Sequence, residues 1–137
     1  MYKKTYATIL ILLILAISVF HNYATIHFIY WQYLWTDLVV HYFSGLWVAL
    51  AGFFAVHYWL HKGSKTNIFL IFFSTIICAV LVGVFWEIFE FGMGIVLYSS
   101  QYVTDTLSDI LMDFIGGASG FLIIMLLRKK LIKNIYE

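Results

Sequence analysis

The sequence predicts an all-α integral membrane protein, a single transmembrane domain over residues 1–137 built as a four-helix transmembrane bundle with both termini cytoplasmic. Three observations predict it. Hydrophobic residues make up 64% of the chain and charged residues 11%, against roughly 25% charged in soluble domains. Four segments approach or exceed the run of about 20 apolar residues that a helix needs to cross the hydrocarbon at 1.5 Å per residue. Finally, the eight lysines and arginines all fall on one side of the alternation that these segments impose. The same composition excludes a soluble nucleic-acid binder. With no proline in the chain, neither a Pro-rich linker nor a Pro-kinked helix is expected.

The first span, residues 5–20, is slightly short and follows Lys3 and Lys4, an arrangement shared with secretory signal peptides. No small-x-small cleavage site follows Ser18, so the segment reads as an anchor. Residues 21–36 carry Tyr23, Tyr30, Trp31, Tyr33 and Trp35, the aromatic content of a segment lying along the membrane interface. The second span covers 37–60, the third 68–98 and the fourth 105–127. The third is long enough to tilt or to project beyond the lipid. Cys78 stands in an apolar run with no cysteine to pair with, and reads as packing.

Positive residues are retained on the cytoplasmic side of a cell membrane. Lys3 and Lys4 precede the first span, Lys62 and Lys65 lie between the second and third, and Arg128, Lys129, Lys130 and Lys133 follow the fourth. A multi-pass protein of the cytoplasmic (inner) membrane follows. Asp37, Glu87, Glu90, Asp105, Asp109 and Asp113, six of the seven acidic residues, then gather towards the outer surface, away from every fixed cation.

On a helix Asp105, Asp109 and Asp113 fall within an arc of about 80°, and Gly116 and Gly120 continue that face. A small-xxx-small pair admits a second backbone closely, either inside the bundle or in a homo-oligomer. Asp37, His41 and Gly45 form a similar stripe, and Glu87 and Glu90 share a face with Gly83 near by. Packed carboxylates need a counter-charge, and no lysine or arginine is on their side. A divalent metal, shared protons and the His41 imidazole are the candidates. Glu87, Glu90, Asp109, Asp113 and His41 are the expected ligands; His41, Asp37 and Asp105 are the candidate catalytic groups, with an Asp orienting the histidine. The donor set suits Mg²⁺, Mn²⁺ or Ca²⁺, and Zn²⁺ or Fe²⁺ where His41 ligates. No organic cofactor motif stands out. The plainer alternative for Asp37 and Asp105 is a helix N-terminus favoured by the dipole and capped by Thr36 or Thr104. His21, His27, His57 and His61 are expected to be satisfied or solvated.

The stretches "DLVVHYFSG" (Asp37 to Gly45), "WEIFEF" (Trp86 to Phe91) and "DTLSDILMDFIGGASG" (Asp105 to Gly120) resemble the core of the YjdF-like family of bacterial inner-membrane proteins, with D-x3-H-x3-G, E-x2-E and D-T-x2-D-x6-G-x3-G in the same order. More distantly the chain is similar to VanZ-like membrane proteins, although Asp113 stands where that group more often has an amide. The resemblance implies the membrane fold and this choice of residues, and the VanZ-like link hints at envelope lipids or cell-wall precursors. The functional expectations are a metal-dependent membrane hydrolase acting on a lipid head group, a cation- or proton-binding transporter or channel subunit, or a structural membrane protein. Membrane lipid is the expected partner, and no nucleic acid.

Overall fold

The computed structural model describes residues 2–57, 67–94 and 102–136, with side chains from residue 4 to residue 127 within those ranges. The described residues are helical, without strands. In order they form α1 (Tyr2–Ile26), α2 (Ile29–Gln32), α3 (Trp35–Ala55), α4 (Ile68–Phe72), a π-helical turn (Phe73–Ile77), α5 (Cys78–Met93) and α6 (Tyr102–Tyr136). Among the described residues four stretches are long and apolar enough to span a membrane: Lys4–Ile26, Trp35–Ala55, Ile68–Met93 and Tyr102–Leu127.

Helix α1 continues to Ile26, past the Phe20 expected as its end. Its continuation is stabilised from within, because Asn22 donates to the Ser18 carbonyl at 2.8 Å and Thr25 to the His21 carbonyl at 2.9 Å. The aromatic segment expected over 21–36 is therefore confined to a short reversal. Phe28 adopts left-handed backbone (φ 56), a conformation costly for a residue with a Cβ, and the single turn α2 leads into α3. The latter opens at Trp35 with no side-chain cap, so Thr36 lies inside its first turn and does not cap it. Residues 58–60, 95–98 and His61, included in or near the expected spans, lie outside the described residues. Helix α5 ends on Gly94, whose φ of 67 supplies the left-handed C-cap.

The widest interface joins α3 to α6, with α5 packed against both. Helix α1 lies against α3 and is held by two polar staples: the Tyr6 hydroxyl donates to the Leu50 carbonyl (3.0 Å) and the Trp47 indole to the Leu10 carbonyl (2.8 Å). Large apolar side chains such as Ile11, Val19, Phe85, Ile88, Leu111 and Leu122 stay exposed. That exposure is untenable in water and ordinary against lipid tails. Buried apolar volume is concentrated at the end of the bundle opposite the acids, where Phe53, Ile71 and Ile124 form a cluster joined by Leu50, Phe121 and Met125.

Glycine sets the middle of the bundle. A Cβ on Gly45 would run into the backbone of Asp113, and one on Gly116 into the backbone of Tyr42 and Leu46. Further along, Gly120 sits against the Ala49 methyl and Gly117 against that of Ala79, where an added Cβ would come within 2.6 and 2.8 Å. Gly116 and Gly120 are buried within one chain. Within the chain α3 occupies this face, because close backbone approach is what a small-xxx-small pair permits. The π turn lies across from the same α3 face. Gly52 abuts the Ser74 carbonyl, while the Ser74 and Thr75 hydroxyls donate to the Ile71 carbonyl at 3.2 and 2.7 Å, the kind of local competition that perturbs a helical ladder.

Candidate metal centre

Helices α3, α5 and α6 bring His41, Glu87, Asp109 and Asp113 together, all at 5% exposure or less. Each comes from a glycine-backed face: His41 is one turn before Gly45, Glu87 one turn after Gly83, and Asp113 just before Gly116. Asp37, one turn before His41, is half-buried at the mouth.

His41 is the pivot. Its Nδ1 donates to Oδ2 of Asp113 at 2.9 Å; a carboxylate only accepts, so the bond fixes the proton on Nδ1 and leaves Nε2 facing the other acids. From Nε2, Oε1 of Glu87 is 3.7 Å away and Oδ1 of Asp37 is 3.8 Å. Both separations are too long for hydrogen bonds. Two atoms bound at about 2.1 Å to one ion lie within about 4.2 Å of each other, so these distances fit shared ligands. Asp37, His41 and Asp109 each offer one ligand atom within 4.8 Å of the others.

Two buried oxygens of this cluster, Oε1 of Glu87 and Oδ1 of Asp109, have no hydrogen-bond partner, and neither does the buried Thr36 hydroxyl beside Asp37. Leaving a buried carboxylate oxygen bare costs more than leaving a neutral group bare. Among the described residues at this end there is no lysine or arginine; Lys4 is at the far end of α1. An oxygen-rich site with one oriented imidazole, bare oxygens and no fixed cation is chemically suited to a divalent cation.

The rim is a second layer. Glu90, half-buried, accepts from the Trp86 indole at 2.9 Å. The Tyr30 hydroxyl and Nδ1 of His21 share a hydrogen bond of 2.7 Å, and the His21 ring meets Trp86 edge-on at 6.3 Å. Burial, with Asp37 and then Glu90 near by, pushes the Tyr30 phenol up, so it keeps its proton.

The sequence-derived residues therefore separate. Asp37, His41 and Asp109 offer ligand atoms within 4.8 Å of one another, Oε1 of Glu87 lies 3.7 Å from Nε2 of His41, and Asp113 holds His41 from behind. It is Asp113, and neither Asp37 nor Asp105, that bonds Nδ1 of His41; Asp113 lies two turns deeper along the same face of α6 than Asp105, which is exposed. Glu90 is engaged by Trp86. His57 is buried, bonds the Phe53 carbonyl at 2.9 Å and stacks on the Phe53 ring; His27 is exposed and Cys78 half-buried. Thr106 was invisible as a site residue in the sequence, yet its hydroxyl donates to Oε2 of Glu87 at 2.9 Å. Its place in the D-T-x2-D motif was the available signal.

No curated protein and no solved structure matches the chain. One family model does, over residues 2–130, described as "Predicted membrane protein (DUF2238)". That match takes in all four spans and every residue of the cluster, and the chain belongs to this family.

Proposed function

We propose that the cluster is a divalent metal centre in a membrane enzyme that hydrolyses a head-group ester of a lipid or an envelope precursor. Asp37, Asp109 and Nε2 of His41 are the ligands and Asp113 orients the imidazole. The observation that carries this reading is the Asp113–His41 bond at 2.9 Å, which aims Nε2 at Oδ1 of Asp37 and at Oε1 of Glu87, a buried oxygen that lacks a partner. A carboxylate behind a ligating histidine fixes its tautomer and raises its basicity. The imidazole favours Mn²⁺, Fe²⁺ or Zn²⁺ over Mg²⁺ and Ca²⁺.

Such an ion supplies a Lewis acid and acidifies water. In the hydrolysis, the hydroxyl of water adds to phosphorus or to a carbonyl carbon, and the leaving alcohol takes the proton. The YjdF-like resemblance accords with the family membership, and the VanZ-like hint towards envelope substrates is a looser proposal. The distribution of lysine and arginine supports a cytoplasmic-membrane protein with both termini inside and the centre opening outward. Transport is the weaker reading, since beyond Asp113 the helices close on the Gly45, Gly116, Gly117 and Gly120 contacts.

Plasma mass spectrometry of detergent-purified protein, after dialysis without chelator, tests the metal. Stoichiometric Mn, Fe or Zn in the wild type and its loss in Asp109→Asn is the expected result; absence from both proteins overturns the centre. Release of head group from mixed micelles by the metal-loaded protein then tests the hydrolysis.

A further inference from the structure

The hydroxyls of the described helices mostly turn back on their own backbone. Thr8 donates to the Lys4 carbonyl, Thr25 to that of His21, Thr75 to that of Ile71, Ser108 to that of Thr104 and Ser119 to that of Ile115. This is the usual outcome for Ser and Thr within a helix, where the carbonyl one turn back is the nearest acceptor. Thr106 departs from it. Its Oγ1 crosses from α6 to α5 and donates to Oε2 of Glu87 at 2.9 Å.

A bond from a hydroxyl to a carboxylate is among the stronger uncharged-donor bonds, and here it has a directional consequence. With Oε2 anchored to α6, the second oxygen is the one turned towards Nε2 of His41, at 3.7 Å. That oxygen is buried and without a partner, on a residue only 5% exposed. Thr106 also shares a face with Asp109, three positions on, so one side of α6 presents both a ligand and the group that orients a neighbour's carboxylate. Glu90, the other acid of the E-x2-E pair, is bonded to the Trp86 indole instead.

We propose that Thr106 is a positioning residue that turns Glu87 into the centre, so that Oε1 of Glu87 becomes a fourth donor to the divalent ion beside Asp37, His41 and Asp109. The inference rests on the metal reading above and adds to it a one-nitrogen, three-carboxylate set whose last member is held by a hydroxyl.

The test is the Zn²⁺ affinity of the full chain in detergent, measured by competition with a chromophoric chelator. Thr106→Val keeps the side-chain shape and removes the donor; it is expected to weaken binding roughly 10- to 100-fold, the range typical of lost outer-shell partners. Thr106→Ser restores the donor and is expected to bind like the wild type. In a Glu87→Gln background Thr106→Val is expected to cost nothing further, because the two act through one oxygen; a merely structural threonine would add its loss in full. Thr106→Ala serves the same comparison if the valine variant does not fold. Wild-type affinity in Thr106→Val or Thr106→Ala, or full additivity with Glu87→Gln, overturns the proposal while leaving the metal centre standing. A wild-type chain that binds no Zn²⁺, Mn²⁺ or Fe²⁺ overturns the centre, and this assignment with it.

Discussion

The imidazole of His41 and the carboxylate of Asp113 are joined by one hydrogen bond of 2.9 Å across 72 positions of sequence. It ties α3 to α6 where the two backbones run close together, since Gly45 abuts the Asp113 backbone one turn further along α3. Packing and chemistry are therefore coupled. The backbone approach that closes the bundle is the same one that places Asp113 behind the ring.

Asp113→Asn tests this bond with little change in shape. The amide oxygen can still accept from Nδ1, but the charge that raises the basicity of Nε2 is gone. Metal affinity is expected to fall roughly 10- to 100-fold while the detergent-solubilised protein keeps its helical circular dichroism. Unchanged affinity would show that His41 does not need the carboxylate.

Asp109→Asn separates binding from stability. Oδ1 of Asp109 is buried without a partner, so in the metal-free protein that bare oxygen opposes folding. The asparagine variant is expected to be at least as thermally stable as metal-free wild type. With metal at 100 times the dissociation constant, the wild type should gain about 2.7 kcal/mol and the variant nothing. Melting curves with and without Mn²⁺ or Zn²⁺ read both halves, and an equal gain in the two proteins would remove Asp109 from the ligand set.

Gly83 and Gly45 both face Asp113 and should fail differently. A Cβ on Gly83 collides with the Asp113 carboxylate, whereas one on Gly45 collides with its backbone. Gly83→Ala is expected to displace the side chain that holds His41, weakening metal binding with a small loss of stability. Gly45→Ala must part α3 from α6, at a cost of about 1–3 kcal/mol or more. Thermal stability and metal affinity measured on both variants distinguish the two; the same ratio of effects in each would deny the distinction.

Much of this was legible in the sequence because membrane helices obey few rules. Length, hydropathy and the glycine stripes gave four spans and placed His41, Glu87, Asp109 and Asp113 at one depth. What a single helical wheel could not give was depth along each helix and rotation between helices. Asp105, Asp109 and Asp113 lie within about 80° of one another on such a wheel, yet only the last two are buried. Which acid meets Nδ1 of His41 and which lies nearer Nε2 depends on the α3–α6 contact, so the Asp113–His41 bond was hidden as well. The helical extension of α1 to Ile26 was hidden because aromatic and polar residues signal an interface without saying whether the backbone there stays helical.

Glu90 provides an internal contrast with Glu87. The two acids are one helical turn apart, but Glu90 is held by the indole of Trp86. Glu90→Gln should leave metal stoichiometry unchanged and alter Trp86 fluorescence, since the amide replaces a charged acceptor at the indole N–H. Loss of the metal in this variant would place Glu90 among the ligands after all.

Sidedness decides which substrates can reach the centre, and it can be read with two labels. Asp105 is exposed at the end of the bundle that carries the cluster, and Lys4 is exposed at the other. In the proposed topology, with positive residues held on the cytoplasmic side, Lys4 is inside and Asp105 outside. A membrane-impermeant maleimide should therefore label Asp105→Cys in intact cells and Lys4→Cys only after permeabilisation, each in a Cys78→Ser background. The reverse pattern would turn the centre towards the cytoplasm. Its substrates would then be inner-leaflet lipids, and the lysine distribution would need another cause than topology.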